Sequence, residues 1–162
     1  LKDNDLIQEL RESIRLLSKV DEDIKIILIN KSNKIIFKSD KEQLNRVFLN
    51  LIKNSIESIQ QKAENIGNFD KKISIEIEEN NDHIKIIMSD NGIGFGVFKN
   101  NIKDILHPYI TTKKNGTGLG LSIVNKIIND HNGKIEFIPI VNGAQIEIIF
   151  NSNDNWNFNS RW

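Results

Sequence analysis

The 162-residue sequence contains no cysteine. Disulfides and thiolate metal sites are therefore excluded. Histidine is scarce: His83, His107 and His131 stand far apart, so a zinc site is not expected. Neither sign of charge is in excess, with 22 Lys and Arg against 22 Asp and Glu and a formal net charge of zero. A nucleic acid or an anionic membrane bound through bulk charge is accordingly not expected. No apolar run approaches the length of a membrane span, and no signal peptide pattern is visible. Two familiar phosphate-binding patterns are missing as well, G-x-x-x-x-G-K-[ST] and G-x-G-x-x-G.

What is present suits one globular domain with its own core: 38% hydrophobic and 27% charged residues over this length. The chain begins at Leu1 and reads as a domain excised from a longer parent. That parent could be membrane-anchored, with this piece in the cytoplasm and making no direct membrane contact.

Periodicity gives the elements. Residues 3–19 read as an amphipathic helix with Leu6, Leu10, Ile14 and Leu17 on one face. Residues 24–29 and 35–38 read as strands joined by a turn, together a hairpin. Asp40 or Ser39 caps a helix over about 41–62, with Leu44, Val47, Phe48, Leu51, Ile52, Ile56 and Ile59 at 3.6-residue spacing. A polar loop follows over 62–71, then strands at 72–79 and 83–89. Residues 95–115 show no clear element, which in a compact domain suits a lid, with Ile105 to Ile110 docking it. A helix starts near Thr117 or Gly118 and stops at Asn132-Gly133, followed by strands at 134–139 and 144–150. The Asn- and Ser-rich residues 151–162 read as a disordered tail, or else as a segment whose Trp156, Phe158 and Trp162 dock on the domain or a partner. This order suits an α+β fold, a two-layer α/β sandwich with helices on one face of a mixed, mostly antiparallel sheet.

Three stretches carry candidate chemistry. In T-T-K-K-N-G-T-G-L-G-L-S-I-V (111–124), Gly116, Gly118 and Gly120 open a helix. Glycines admit close backbone approach, and the first helical turn offers N–H groups and the positive dipole end to an anion, so the stretch is either a phosphate site or a flexible turn. Asn50 and Asn54 lie four apart on the margin of the apolar helix face. They are either ordinary polar residues or a pair of side-chain oxygens of the hard kind that suits Mg²⁺. Asp90-Asn91-Gly92-Ile93-Gly94 is either a plain turn or a strand-end acid that accepts from a ligand, with glycines allowing close contact.

Taken in order, N-x-x-x-N, D-N-G-x-G and T-T-K…G-T-G-L-G-L resemble the catalytic ATP-binding domain of bacterial sensor histidine kinases, within the superfamily of gyrase, HSP90, histidine kinases and MutL. The resemblance covers about residues 20–150. The runs N-L-I-K-N-S-I-E-S and P-Y-I-T-T-K-K-N-G-T-G-L-G-L-S-I-V look most like the nitrogen-regulation branch, NtrY-like and NtrB-like kinases. It implies ATP and Mg²⁺ as cofactors and a role for each matching residue. Asn54 would coordinate the metal bridging the phosphates, with Asn50 close to them. Asp90 would accept from the adenine amino group, and Gly92 and Gly94 would line the base pocket. Lys113 and the loop Gly116, Thr117, Gly118, Leu119, Gly120 would contact phosphates, with Leu121 beginning the next helix. Thr111 and Thr112 would sit at the hinge end of the lid, and Gly143 would match the small residue that starts the last strand.

Two departures from the family pattern stand out. Glu57 occupies the place of a basic residue three after the second asparagine, and residues between Gly94 and His107 lack the usual acidic and aromatic spacing. Relatives that hydrolyse ATP place a glutamate where this chain has Asn50, and an amide cannot take a proton from water. The resemblance therefore implies a kinase, with the ATPase and a non-catalytic nucleotide-binding regulatory module as alternatives. None of the three histidines precedes an acid, so all three read as structural or solvated. The phosphoacceptor is expected on a separate histidine-containing dimerisation domain upstream, with 1–19 as the connector from it. The implied downstream partner is a response regulator of the NtrX/NtrC kind.

Overall fold

The computed structural model describes residues 1–96, 101–109 and 118–152. Its elements in chain order are β1 (Lys2–Asp5), α1 (Leu6–Leu17), β2 (Lys25–Asn30), β3 (Ile36–Ser39), α2 (Lys41–Ile66), β4 (Lys72–Glu79) and β5 (His83–Asp90). A 3₁₀ segment (Ile102–Leu106), α3 (Gly120–Asp130), β6 (Gly133–Pro139) and β7 (Ala144–Asn151) complete them. Five strands form one sheet in the order β2-β4-β5-β7-β6. The β2–β4 pair is parallel and the other three pairs are antiparallel, so the sheet is mixed and mostly antiparallel, as the sequence implies.

Alternation decides which sheet face is covered. Ile73, Ile75 and Ile77 of β4, Ile84, Ile86 and Met88 of β5, and Ile146, Ile148 and Phe150 of β7 are all buried, while their neighbours are not. Against them lie Leu44, Val47, Phe48, Leu51, Ile52, Ile56 and Ile59 of α2, and Val124, Ile127 and Ile128 of α3, in one core. Every α2 position picked out by its 3.6-residue spacing is buried. Asp40 caps α2 as expected, its carboxylate accepting from Gln43 N–H at 3.1 Å. At the far end of α3, the His131 Nδ1–H donates to the Ile127 carbonyl at 2.8 Å, and Nε2 accepts from the Asp40 N–H at 3.0 Å. A backbone N–H can only donate, which fixes a neutral ring. His131 thus pins the start of α2 to the end of α3, a structural role in keeping with the sequence reading.

Several boundaries differ from the sequence reading, each for a physical reason. The first helix starts at Leu6, not at residue 3, because Asp5 takes the N-cap position and accepts from Ile7 N–H at 3.1 Å. Residues 2–5 instead form β1, antiparallel to β3. The expected hairpin does not form: β2 pairs with β4 across the sequence, while β3 pairs with β1 in a separate two-stranded sheet. The polar stretch after residue 62 continues α2 to Ile66, where Gly67 ends it at φ 80°. The last helix begins at Gly120, and Asn151 still belongs to the last strand. Residues 153–162, including the three tail aromatics, lie outside the described residues.

The helix α1 is built into the domain, with Leu6, Ile7 and Leu10 in the shared core. On the same helix, Glu9 is 1% exposed and neither carboxylate oxygen has a hydrogen-bond partner. Burial pushes its pKa from 4.5 to about 7; Lys41 on α2 opposes the shift, whereas Glu12 and Asp5 on its own side add to it. The proton is therefore bound more tightly in the folded chain than in the unfolded one. The stabilisation is complete below about pH 4.5 and is lost as pH rises through 7, amounting to ~3 kcal/mol. Replacing Glu9 with Gln should leave stability at pH 4 nearly unchanged and raise it by about 3 kcal/mol at pH 8. Urea midpoints at the two pH values check this, and a gain equal at both would contradict it.

Candidate nucleotide-binding site

Asp90 ends β5, the middle strand of the sheet, with Ile73 of β4 on one side and Ala144 of β7 on the other. It is 7% exposed. Its Oδ2 accepts from the Ser55 hydroxyl of α2 at 3.0 Å, and its Oδ1 accepts from the Gly92 N–H at 2.9 Å. Burial raises the carboxyl pKa above its ordinary value. The Gly92, Ser55 and Ala144 hydrogen bonds and the Lys62 charge pull against that shift. A buried acid held by donors from a helix, a turn and a neighbouring strand has its orientation fixed. Each oxygen still has acceptor capacity for a ligand.

The turn that follows is pressed against α2 and against the start of β7. A Cβ on Gly92 would lie 2.2 Å from Ser58 Oγ and 2.8 Å from the Ile59 nitrogen. Gly94, at φ 75°, faces the Gly143 carbonyl, which a Cβ would meet at 2.7 Å. Gly143 itself, at φ 113°, lies so close to the Asp90 carbonyl that a Cβ would sit 1.8 Å from it. It precedes the last strand, which starts at Ala144. The turn is further fastened by Ser58, whose Oγ accepts from Ile93 N–H at 3.0 Å, and by Lys62, whose ammonium donates to the Asn91 carbonyl at 2.8 Å. Phe95 packs edge-on against Phe137 with centroids 5.9 Å apart.

Asn50 and Asn54 lie half-buried on α2, one turn apart. The Asn50 side-chain oxygen is 3.6 Å from where a Gly120 Cβ would sit, so it faces the first turn of α3. Asn50 also borders an open groove of about 570 Å³ along α2, together with Arg46, Leu49 and Lys53. Glu42 lines the same groove, so both signs of charge border it. Lys53 lies 3.9 Å from Glu57, both side chains partly open to solvent. Gly118 takes φ 67° and its carbonyl accepts from Tyr109 N–H at 3.0 Å. Leu119 precedes Gly120, and its carbonyl accepts from Ser122 Oγ and Ile123 N–H. Leu121 is the second residue of α3. Ile102, Ile105 and Leu106 dock the 3₁₀ segment on the core. Thr111, Thr112, Lys113, Gly116 and Thr117 lie outside the described residues.

The structure thus brings Asp90, Gly92 and Gly94 together, with Asp90 and Gly92 against the stretch of α2 from Ser55 to Ile59, and Asn50 together with Gly120 at the opening turn of α3. Ser55, Ser58 and Lys62 were missed in the sequence. Each is a polar residue on an amphipathic helix; Ser55 and Ser58 fall within the N-L-I-K-N-S-I-E-S run but outside N-x-x-x-N, and Lys62 lies beyond it. Among the described residues no group of three His, Cys, Asp or Glu is placed to hold a metal ion. Mg²⁺ at this site would therefore draw its oxygen ligands from phosphates and an amide such as that of Asn54, which fits its preference for few protein ligands. No helix among the described residues is long and apolar enough to cross a membrane.

Residues 39–154 match the family of histidine kinase-, DNA gyrase B- and HSP90-like ATPases. The match spans most of the chain, and the chain belongs to this family. Proteins similar to the chain include sensor histidine kinases. A putative NtrY-like sensor histidine kinase of Rickettsia conorii is 36% identical over 115 residues, 70% of this chain and 18% of that protein. The sensory histidine kinase/phosphatase NtrB of Azospirillum brasilense is 34% identical over 103 residues, 60% of this chain and 26% of that one. The chain thus spans only a small part of these relatives. The catalytic domain of the histidine kinase ThkA superimposes with a TM-score of 0.77 at 26% identity, covering 93% of this chain and 96% of that domain. The domain is a histidine-kinase-type ATP-binding domain, and its fold is the α+β sandwich that the sequence implies.

Proposed function

We propose that the domain binds Mg-ATP and donates the γ-phosphoryl group to a histidine on a separate dimerisation domain of a longer two-component sensor kinase. The observation that carries this reading is Asp90: a buried strand-end carboxylate, fixed by donors from α2, the following turn and β7 and walled by glycines, suits recognition of an adenine amino group. Gly92 and Gly94 would line the base. Asn50 and Asn54 would face the phosphates, with Asn54 as the Mg²⁺ ligand. Lys113, Gly116, Thr117, Gly118, Leu119 and Gly120 would close on them, Thr111 and Thr112 would form the hinge end of the lid, and Leu121 would start the helix that follows. When bound, Mg²⁺ would offset phosphate charge. The side chains named here bind and align; they perform no proton abstraction from water, because Asn50 offers an amide where a hydrolase needs a base. That favours transfer to an imidazole over hydrolysis.

His131 is committed to a structural hydrogen-bond pair, and His83 and His107 flank no acid. The acceptor histidine is thus assigned to another domain, with α1 leading from it, in a parent that acts in the cytoplasm. A response regulator of the NtrX/NtrC kind would receive the phosphoryl group next; a ThkA structure holds that kinase with its response regulator TrrA. The test is γ-labelled ATP. The domain alone should acquire no acid-labile label, and a histidine-bearing dimerisation domain supplied in trans should acquire it. ATP binding without any transfer would favour a regulatory nucleotide-binding module instead.

A further inference from the structure

We infer that Ser55 is a positioning residue for base recognition: its hydroxyl holds the Asp90 carboxylate in the orientation that accepts from a 6-amino purine and turns away a 6-oxo purine. The inference rests on the proposed role of Asp90 toward adenine.

The geometry is specific. Ser55 sits in the middle of α2, 3% exposed, directly after Asn54. A serine inside a helix usually points to solvent or bonds back to its own helix. This one instead reaches across to the sheet and donates to Asp90 Oδ2 at 3.0 Å in a buried contact. The terminal torsion of an aspartate is soft. The Gly92 N–H on Oδ1 and the Ala144 backbone N–H hold the carboxylate from the turn and from β7. Ser55, on Oδ2 and from a different element, is the one side-chain donor of the three and ties the carboxylate plane to α2.

Fixing the plane has a chemical consequence. Ser55 and Gly92 place a donor on each carboxylate oxygen, so the group presents remaining lone pairs toward an incoming base. A 6-amino group can donate to them. A 6-oxo group sets acceptor against acceptor, and a site built to hydrogen-bond an N–H strongly rejects the analogue lacking it. Ser55 thereby acts on the identity of the base and touches no phosphate.

Competition binding of ADP and IDP to the folded domain tests this with the native protein, Ser55→Ala, Ser55→Thr and Asp90→Asn. Ser55→Ala should weaken ADP about tenfold and leave IDP nearly unchanged, so that the ADP-to-IDP preference falls about tenfold. Ser55→Thr, which keeps the donor, should return the native preference. A merely structural serine would weaken both nucleotides together. An unchanged preference in Ser55→Ala, beside an Asp90→Asn variant that has lost ADP, overturns the inference and leaves the reading of Asp90 standing. If the native domain binds no ADP, or Asp90→Asn binds it as well as the native domain, the reading of Asp90 fails and the inference falls with it.

Discussion

Asp90→Asn should lower affinity for ADP and ATP by at least about a hundredfold while the domain stays folded. The substitution keeps size and shape, so the packing between β4 and β7 is preserved. The amide oxygen can take over acceptance from the Gly92 N–H, which Oδ1 performs at 2.9 Å in the native chain. That choice puts the amide NH₂ where Oδ2 was. There it faces Ser55 Oγ, which tolerates it by turning into an acceptor, since a hydroxyl can do either. It also faces the proposed adenine amino group, donor against donor, and nothing can turn to relieve that. The expected signature is therefore a lost ligand with a retained melting transition. A variant that binds ADP within a fewfold of the native domain would remove the adenine assignment.

Gly143→Ala should destabilise the fold by ~3 kcal/mol or more, combining strain of ~1–3 kcal/mol for a side chain at positive φ with overpacking of similar size. The φ is 113°, and the added Cβ would sit 1.8 Å from the carbonyl oxygen of Asp90 and 2.9 Å from the Cα of Asn91. Both are backbone atoms that cannot step aside as a flexible side chain can. The start of β7 must therefore shift away from the end of β5, and that is the strand end that positions Asp90. Gly67 is the control. It also has positive φ, at 80°, but a Cβ there would meet nothing within 4 Å. Gly67→Ala should lose only the conformational part and leave nucleotide affinity unchanged. Urea denaturation of both variants reads the difference, and a loss at Gly143 no larger than at Gly67 would contradict the close approach.

Much of this site is visible in the sequence because it depends on local pattern. The α2 stripe from Leu44 to Ile59 repeats with the helical period, and every one of those residues is buried. Asn50 and Asn54 follow from the same helix by arithmetic. Asp90-Asn91-Gly92 announces a strand end and a turn, and the glycines there meet backbone or side chains at distances no Cβ could share. What was not visible depends on distant pairing. Residues 24–29 and 35–38 are neighbours in sequence, so they read as a hairpin. Yet β2 runs parallel beside β4, forty-odd residues away, and nothing in either strand alone states that. Lys2–Asp5 carries no apolar alternation and gains its strand conformation from β3. Ser55 and Glu9 look like ordinary polar residues on amphipathic helices. Only the packing of α2 on the sheet, and of α1 on the domain, shows that both are buried. The resemblance to histidine kinases supplies the roles proposed for residues that periodicity cannot assign, and the family match over 39–154 bears out the family itself.

The most direct measurement of the central claim is a calorimetric titration of the native domain with Mg-ATP and with ADP, at neutral pH. One bound nucleotide per domain, lost in Asp90→Asn and weakened only in its metal-dependent part in Asn54→Ala, is the expected result. A folded native domain that binds neither nucleotide would contradict it.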